Sequence, residues 1–283
     1  MPEIMIDSRF NGLPGIALGG YVGGILARGS ARAEVTLRGP VRLGRPYGTV
    51  RRPDGSEQLR DGDSVLAVAQ SASIDIDPPG AVSLEDARTA SELYVGRRRH
   101  EVPMCFVCGP ARSEGDGLRI FPGPVAGRPV VAAPWTPASS LANSGGQVGT
   151  EFVWSALDCP SIWALIYNGP PDSEERAVTV RLAVEQVSPV IAGDPHVIVG
   201  WKAGESGGSR VAGGAIYSTR GRLLARARHT LVTTDWGVPM GLNRWRYGRS
   251  QRVTSHAGSM ARRLLTQDPM LSLRGPRSSP GRL

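Results

Sequence analysis

The sequence predicts an α+β fold in which one unit of a helix and several strands occurs twice. The pattern P-V-x-x-G-x-P is found at residues 40–46 and again at residues 189–195. A compact, mostly apolar segment of helical length lies upstream of each copy, at residues 19–28 and 150–166, and both segments follow glycine-rich loops. An internal repeat of this kind indicates two structurally related halves.

Strand-like runs lie on both sides of each copy. Residues 33–39 and 177–187 precede the two copies, while residues 64–72 and 223–232 follow them and share the sequence Leu-Ala-x-Ala. Runs joined by short turns favour antiparallel pairing, and a helix across one face of such a sheet makes two packed layers. Two sheets of this kind can also pair edge to edge, which removes a free edge from each.

A shorter helix is predicted between the halves, at residues 83–94. Ser83 is suited to cap its N-terminus, with Asp86 in the capping-box position, where Asp is a weak substitute for Glu. The division we expect is a degenerate N-terminal half (1–75), a linker (76–100), a C-terminal half (101–236) and a disordered basic tail (237–283).

The tail holds the whole net charge of the chain. Residues 237–283 contain nine arginines and one acidic residue, which gives the total of +8 and leaves residues 1–236 neutral. A basic tail can bind nucleic acid, an anionic membrane or an acidic partner. No repeated or aromatic-interleaved basic motif occurs in it, so we expect a solvated tail and no nucleic-acid binding.

Composition excludes several classes of protein. With 40 % hydrophobic and 20 % charged residues, the chain is neither disordered throughout nor collagen-like. No run of eighteen apolar residues occurs, and the first residues lack the basic and apolar regions of a signal peptide. Three scattered cysteines indicate a reducing compartment rather than a disulfide framework, so we expect a cytoplasmic protein.

Five short motifs follow one another in the second half: CFVCGP at 105–110, GLRI at 117–120, WTP at 135–137, GG at 145–146 and ALD at 156–158. In this order they resemble hot-dog fold thioesterases of the phenylacetate-pathway type, in which the first two motifs open the sheet and a central helix carries an acid. The first half matches more weakly. The resemblance implies a double hot-dog fold, with two antiparallel sheets each wrapped around a central helix.

The same resemblance implies hydrolysis of an acyl-CoA, or of another acyl thioester on a carrier protein, with no cofactor and no metal. It is compatible with a homo-oligomer. Thioester hydrolysis needs a donor for the charge that develops on the carbonyl oxygen, and a base or nucleophile that brings oxygen to the carbonyl carbon.

Asp158 is the candidate base or nucleophile, because an ionised carboxylate in an otherwise apolar helix is costly without a partner or a role. Unpaired amides at a helix start suit the donor. The resemblance implies that the amide of one helix faces the acid of the other, so Gly19 or Gly20 would serve Asp158. Ala27 takes the place of the acid in the first half, which predicts one working site per chain. The structural alternatives are a capping or solvated carboxylate and glycines that allow close helix–sheet packing.

Three further residues are candidates for substrate binding. Asn143 takes the approximate place of a Gln that orients the thioester carbonyl in the family, although a turn Asn is the alternative. Thr150 and Ser161 are suited to orient Asp158 or a water molecule. Glu151, in the first turn of the same helix, is interpreted as favourable to the helix dipole rather than catalytic.

The C-x-x-C pair at 105–108 raises the alternative of a zinc or redox site. In a strand-like run, however, its odd spacing would point the two sulfurs away from a common face. No second C-x-x-C or H-x-x-x-H is present, and the spare ligands are Cys159, His100, His196 and His229. We therefore expect no metal.

Three other functions stay open, one of them a structural scaffold whose arginine-rich tail binds an acidic partner. A non-catalytic acyl-thioester or lipid binder is favoured by the absence of the family's His-Gly-Gly helix start, by the degenerate first half and by Pro160 within the predicted helix. A hydratase or dehydratase of the same fold would need a His–Asp pair near the helix, and no His lies near either helix start in the sequence.

Overall fold

The structure is a computed structural model that describes residues 2–167 and 176–234, so the predicted tail lies outside the described residues. The α-helices of this part are α1 (Gly19–Leu26), α2 (Leu84–Glu92) and α3 (Thr150–Tyr167). The strands of the first half are β1 (Glu3–Met5), β2 (Arg32–Leu37), β3 (Pro46–Arg51), β4 (Glu57–Asp61) and β5 (Ser64–Gln70). Those of the second half are β6 (Gly123–Pro124), β7 (Val130–Trp135), β8 (Arg176–Gln186), β9 (His196–Ser206), β10 (Ser209–Ser218) and β11 (Leu223–Thr234).

All eleven strands belong to one antiparallel sheet, in the order β1-β3-β4-β5-β2-β8-β11-β10-β9-β7-β6. The expectation of two separate sheets is therefore wrong, because strands of the two halves are hydrogen-bonded to each other. The reason is the pairing of β2 with β8, in which Val35 faces Leu182, so that the inner edge strand of each half supplies the partner of the other. The edge-to-edge alternative is the arrangement that forms.

The strands of the two halves are arranged almost symmetrically about the β2–β8 pair, with β2 to β5 corresponding to β8 to β11. The repeated P-V-x-x-G-x-P pattern makes the same contact in each half. The carbonyl of Val41 accepts a hydrogen bond from the amide of Ala17 at 2.8 Å, and that of Val190 accepts one from Val148 at 2.9 Å. The glycines of the pattern, Gly44 and Gly193, have φ values of 70° and 85°, where a side chain would be strained.

Helices α1 and α3 form where the sequence predicts them, and they pack against each other. A Cβ added to Gly20 would lie 2.7 Å from the Trp154 carbonyl oxygen, and a Cβ added to Gly24 would lie 2.3 Å from the Glu151 Cα. The alternative interpretation of these glycines expected close helix–sheet packing. At Gly20 and Gly24 the close approach is instead between the two helices, which brings the backbones of the two halves into direct contact.

Helix α3 lies on one face of the second half's strands, and the linker covers the other face. An added Cβ on Gly200 of β9 would lie 2.3 Å from the Pro160 carbonyl oxygen of α3. The next residue on each side, Val199 and Trp201, packs in a separate apolar cluster with Ala87 and Ala90 of α2. The side chain of Ser83 caps α2 by accepting the Asp86 amide at 3.0 Å, which confirms the predicted cap.

The segment from Cys105 to Ile120 is not the opening strand that the resemblance implied. It forms turns, in which the Cys105 amide donates to the Val102 carbonyl and the Gly109 amide donates to the Cys105 carbonyl. Pro103 and Gly109 flank the apolar run and favour a turn over an extended strand. No helix within the described ranges is long and apolar enough to cross a membrane.

Candidate active site

Asp158 occupies the middle of α3 and is 3 % exposed. Its two carboxylate oxygens have different partners. The Gly20 amide of α1 donates to Oδ2 at 2.8 Å, and the Thr179 hydroxyl of β8 donates to Oδ1 at 3.1 Å. The acid of the second half thus meets the helix start of the first half, which is the juxtaposition that the resemblance implied.

The start of α1, which faces Asp158, presents backbone amides that no side chain caps. Leu18 precedes α1 and offers no side-chain cap. The Gly19 amide makes no hydrogen bond within the described residues, whereas the Gly20 amide donates to the carboxylate. The positive end of the helix dipole favours a negative charge at this position. An added Cβ on Gly20 would lie 3.0 Å from the Asp158 Cβ, so the glycine allows the amide to reach the acid.

Burial raises the pKa of Asp158 to about 6, and it is the largest influence on that carboxyl group. The hydrogen bonds from the Gly20 amide and the Thr179 hydroxyl stabilise the charged form and hold the pKa lower than burial alone would place it. A carboxylate with a pKa near neutrality is a better proton acceptor at pH 7 than an exposed one, since it is ionised and still basic.

Two neighbours of Asp158 were not anticipated from the sequence. Thr179 lies in β8 and His229 in β11, strands whose existence was predicted without any indication that they face α3. His229 Nδ1 is 3.9 Å from Asp158 Oδ1, on the side of the carboxylate that Thr179 also contacts. The ring is fully buried, neither nitrogen has a hydrogen-bond partner of good geometry among the described residues, and burial lowers its pKa to about 3, so it is neutral.

His229 weakens the sequence argument against a hydratase, which relied on the absence of a His near the helix. The fold brings this His to Asp158 from another strand. Its side chain is nevertheless sealed from solvent, whereas Oδ2 faces the start of α1. Of the two groups, Asp158 is therefore the one that contacts the start of α1.

The structure places the other candidate residues elsewhere. Asn143 accepts the amides of Gly145 and Gln147 and so shapes its own turn. Ser161 donates to the Leu157 carbonyl one helical turn back. Thr150 begins α3 two turns before Asp158 and lies against Gly24. None of these three contacts the carboxylate of Asp158. By contrast, an added Cβ on Gly19 would lie 3.6 Å from Asp158 Oδ2.

The opposite end of the α1–α3 pair has no such acid. Ala27 stands at the position that corresponds to Asp158, and Glu151 at the position that corresponds to Gly20. The carboxylate of Glu151 forms an ion pair with Arg28 at 2.7 Å. This contact joins the two helices and leaves no carboxylate facing the start of α3 from the first half.

Among the described residues, one group has the spacing of metal ligands: the buried thiols of Cys105, Cys108 and Cys159. The three histidines that the sequence offered as ligands, His100, His196 and His229, do not belong to this group. One member of the group, Cys159, follows Asp158 directly in α3.

No protein-family model matches the sequence, and no curated protein matches it. Solved structures do match. A thioesterase II from Thermobifida fusca YX is 15 % identical with a TM-score of 0.52, and the alignment covers 82 % of this chain and 92 % of that one. The tesB protein of Mycobacterium avium subsp. paratuberculosis is 13 % identical with a TM-score of 0.50, and 80 % and 91 % are covered.

A further match is to a thioesterase superfamily protein that is 16 % identical with a TM-score of 0.37. It covers 41 % of this chain, which spans only 54 % of the length of that protein. At these identities the likeness concerns the fold. With a continuous antiparallel sheet, a strand order repeated in two halves and two structures matched over most of their length, this chain has the fold of the hot-dog thioesterase superfamily.

Proposed function

We propose that the chain hydrolyses acyl thioesters at one site, formed by Asp158 of the second hot-dog half and the start of α1 in the first. The observation that carries the proposal is the 2.8 Å hydrogen bond between the Gly20 amide and Asp158 Oδ2. A carboxyl group with a pKa of about 6 lies beside the amides of a helix N-terminus. This supports the proposal, because acyl transfer to water requires a base and donors for the oxyanion.

In this mechanism the thioester carbonyl enters between α1 and Asp158 and replaces the carboxylate as acceptor of the α1 amides. Asp158 takes a proton from water as the water oxygen attacks the carbonyl carbon. The amides of Gly19 and Gly20 stabilise the oxyanion of the tetrahedral intermediate. The C–S bond then breaks, the proton passes to the leaving sulfur, and a carboxylic acid and a free thiol result.

The substrate class is an acyl-CoA or an acyl group on a carrier protein, and the cytoplasm is the compartment that suits it. Because the two halves of one chain supply the acid and the amides, a second copy is not required to complete the site. Thr179 has a positioning role in this proposal, since its hydroxyl holds the carboxylate oxygen that faces away from α1.

A non-catalytic acyl-thioester or lipid binder is the second candidate function. The observation that favours it is the closed contact itself, because the Gly20 amide already has a partner and Asp158 is almost fully buried. In that case the hydrogen bond would only join the two halves, as buried polar pairs commonly do.

The test is release of free thiol from acyl-CoAs of short to long chain length, by the full chain and by Asp158→Asn. We expect the substitution to lower turnover by about 100-fold or more, the usual range for a lost acid–base group. Glu151→Gln is the matched control, because it neutralises the other carboxylate of the same helix. It should leave turnover nearly unchanged.

The other outcomes separate the alternatives. Turnover that survives Asp158→Asn would exclude this site while keeping the reaction class. An absence of turnover, together with a thermal shift on addition of acyl-CoA, would support the binder.

A further inference from the structure

Three buried thiols meet beside the middle of α3, next to Asp158, and the ring of His100 contacts one of them. Cys105 and Cys108 lie in the turns at the start of the second half, Cys159 lies in α3, and all three thiols are buried with their sulfurs within 4.8 Å of one another. The Cys105 and Cys159 sulfurs are 3.6 Å apart. Nε2 of His100 is 3.3 Å from the Cys108 sulfur.

The turn at residues 105–108 explains how the first two sulfurs converge. In an extended strand their spacing would separate them, but here the Gly109 amide donates to the Cys105 carbonyl at 3.0 Å and folds the segment back. An added Cβ on Gly109 would lie 2.5 Å from the Cys105 amide nitrogen, so this turn depends on glycine. The expectation that the two sulfurs point away from a common face, which a strand would impose, is therefore wrong.

We propose that Cys105, Cys108, Cys159 and His100 bind one zinc ion in a closed, tetrahedral Cys₃His site. Zinc–sulfur bonds of about 2.3 Å and zinc–nitrogen bonds of about 2.0 Å place tetrahedral ligand atoms roughly 3.5–3.8 Å apart. The distances of 3.6 Å between Cys105 and Cys159 and 3.3 Å between His100 and Cys108 are close to these values, and the other sulfur pairs lie within 4.8 Å. Four protein ligands leave no open position, so the role is structural.

Binding changes one contact of the imidazole. The Val102 amide donates to His100 Nδ1 at 3.0 Å, so the neutral ring carries its proton on Nε2. Coordination through Nε2 moves that proton to Nδ1 and opens the contact with Val102. The three thiols release three protons to solvent as they become thiolates.

The aromatic surroundings keep the ligands in place and exclude water. The ring of Trp163, one turn beyond Cys159 on α3, lies 5.6 Å from the His100 ring. Tyr94 packs on Trp163 at 4.7 Å, and its hydroxyl donates to the Cys108 carbonyl at 3.0 Å. A metal ion here would link the segment after α2, at residues 100–108, to the part of α3 next to Asp158.

The first test is the metal content of the full chain, purified in the presence of zinc and then desalted. We expect one zinc per chain, lost in Cys105→Ser, Cys108→Ser and Cys159→Ser. His196→Gln is the matched control, since it removes a buried histidine outside the thiol group and should retain the metal.

A second measurement does not depend on variants that fold. Replacing zinc by Co²⁺ in the wild-type chain should produce the sulfur-to-cobalt charge-transfer bands and intense d–d bands of a tetrahedral thiolate site. A mercurial reagent that blocks thiols should release the zinc stoichiometrically to a chromophoric chelator.

Three results would overturn the proposal. One is a chain that takes up neither zinc nor Co²⁺ with reduced thiols. Another is zinc content that is the same in the Cys→Ser variants. The third is a Cys105–Cys159 disulfide in protein alkylated at lysis, detected by mass spectrometry, since oxidised sulfurs cannot serve as thiolate ligands.

Discussion

The two ends of the α1–α3 helix pair share a backbone plan and differ in chemistry. At one end the Gly20 amide meets the carboxylate of Asp158, with Thr179 and His229 behind it. At the other end Ala27 replaces the acid, and the carboxylate of Glu151 pairs with Arg28. Antiparallel helix packing alone therefore does not make a site.

The difference also shows what joining two halves in one chain permits. In a symmetric pair of identical subunits, each substitution would appear at both ends. Here the end with Ala27 is free to become an ordinary helix contact, while the end with Asp158 keeps an acid and an amide in register. Substitutions at each end can therefore be compared separately.

The largest effect is expected from Gly24→Ala, which forces the helices apart near Glu151. An added Cβ would lie 2.3 Å from the Glu151 Cα, and backbone cannot move aside as a side-chain tip can. Overpacking of this kind costs about 3 kcal/mol. Urea unfolding of the variant measures the loss. Gly80→Ala is the control, because no atom lies within 4 Å of its added Cβ; equal stability of the two variants would show that the helix contact yields easily.

The next effect concerns pH and His229. The pKa of this ring is about 3 in the folded chain and about 6.5 when exposed, so the unfolded chain takes up the proton first. The contribution of the neutral ring is fully present above pH 6.5 and is lost as the pH falls towards 3. At pH 5 the loss is roughly 2 kcal/mol, at 1.36 kcal/mol for each pH unit.

Stability curves of the wild type and of His229→Gln, which is uncharged at every pH, measure this contribution by difference. Asp158 faces the ring and titrates in both proteins, so its own effect largely cancels. Parallel curves between pH 7.5 and 5 would mean that the ring is protonated or hydrated in the fold.

Asp158→Asn is expected to raise the free energy of unfolding by roughly 1–2 kcal/mol at pH 8, because it removes a buried charge and keeps the shape. The amide oxygen can accept from Gly20, and the amide nitrogen can donate to Thr179. A gain in stability together with a loss of turnover is typical of a residue kept for function. A destabilised variant would instead identify the contact as a structural link between the halves.

The smallest effect is expected at the other end. Arg28→Gln removes the ion pair between Arg28 and Glu151. The Arg28 side chain is 57 % exposed in this pair. Exposed ion pairs contribute about 0.2–1 kcal/mol, and salt screens them. The difference from the wild type should therefore shrink at high ionic strength, with turnover unchanged. A salt-independent loss would indicate packing by the arginine stem.

Local signals in the sequence predicted much of this fold. The glycine-rich starts and apolar lengths indicated α1 and α3, and Ser83 marked the start of α2. The repeated P-V-x-x-G-x-P pattern indicated the twofold plan, because each copy needs the same turn glycine and the same buried Val. The pairing of Asp158 with Gly20 came from the resemblance, and the structure brings these two residues together.

The rest depends on contacts that no local pattern contains. Thr179 and His229 reach Asp158 only because α3 crosses the strands that carry them. The run around Cys105 has the composition of a strand, yet its flanking turns and the packing of its thiols against α3 decide its conformation. Asn143 and Ser161 were assigned to the site from position alone, and each satisfies a nearby backbone group instead.

The pairing of β2 with β8 has a consequence for how the chain reaches its native state. The residues that meet there, such as Val35 and Leu182, are far apart in the sequence, so this pairing closes one of the longest loops in the fold. Until it closes, β2 and β8 each present an unpaired edge, and β8 of another chain can pair with β2 in its place. Refolding at high concentration should therefore yield exchanged dimers, and dilution should favour the single chain.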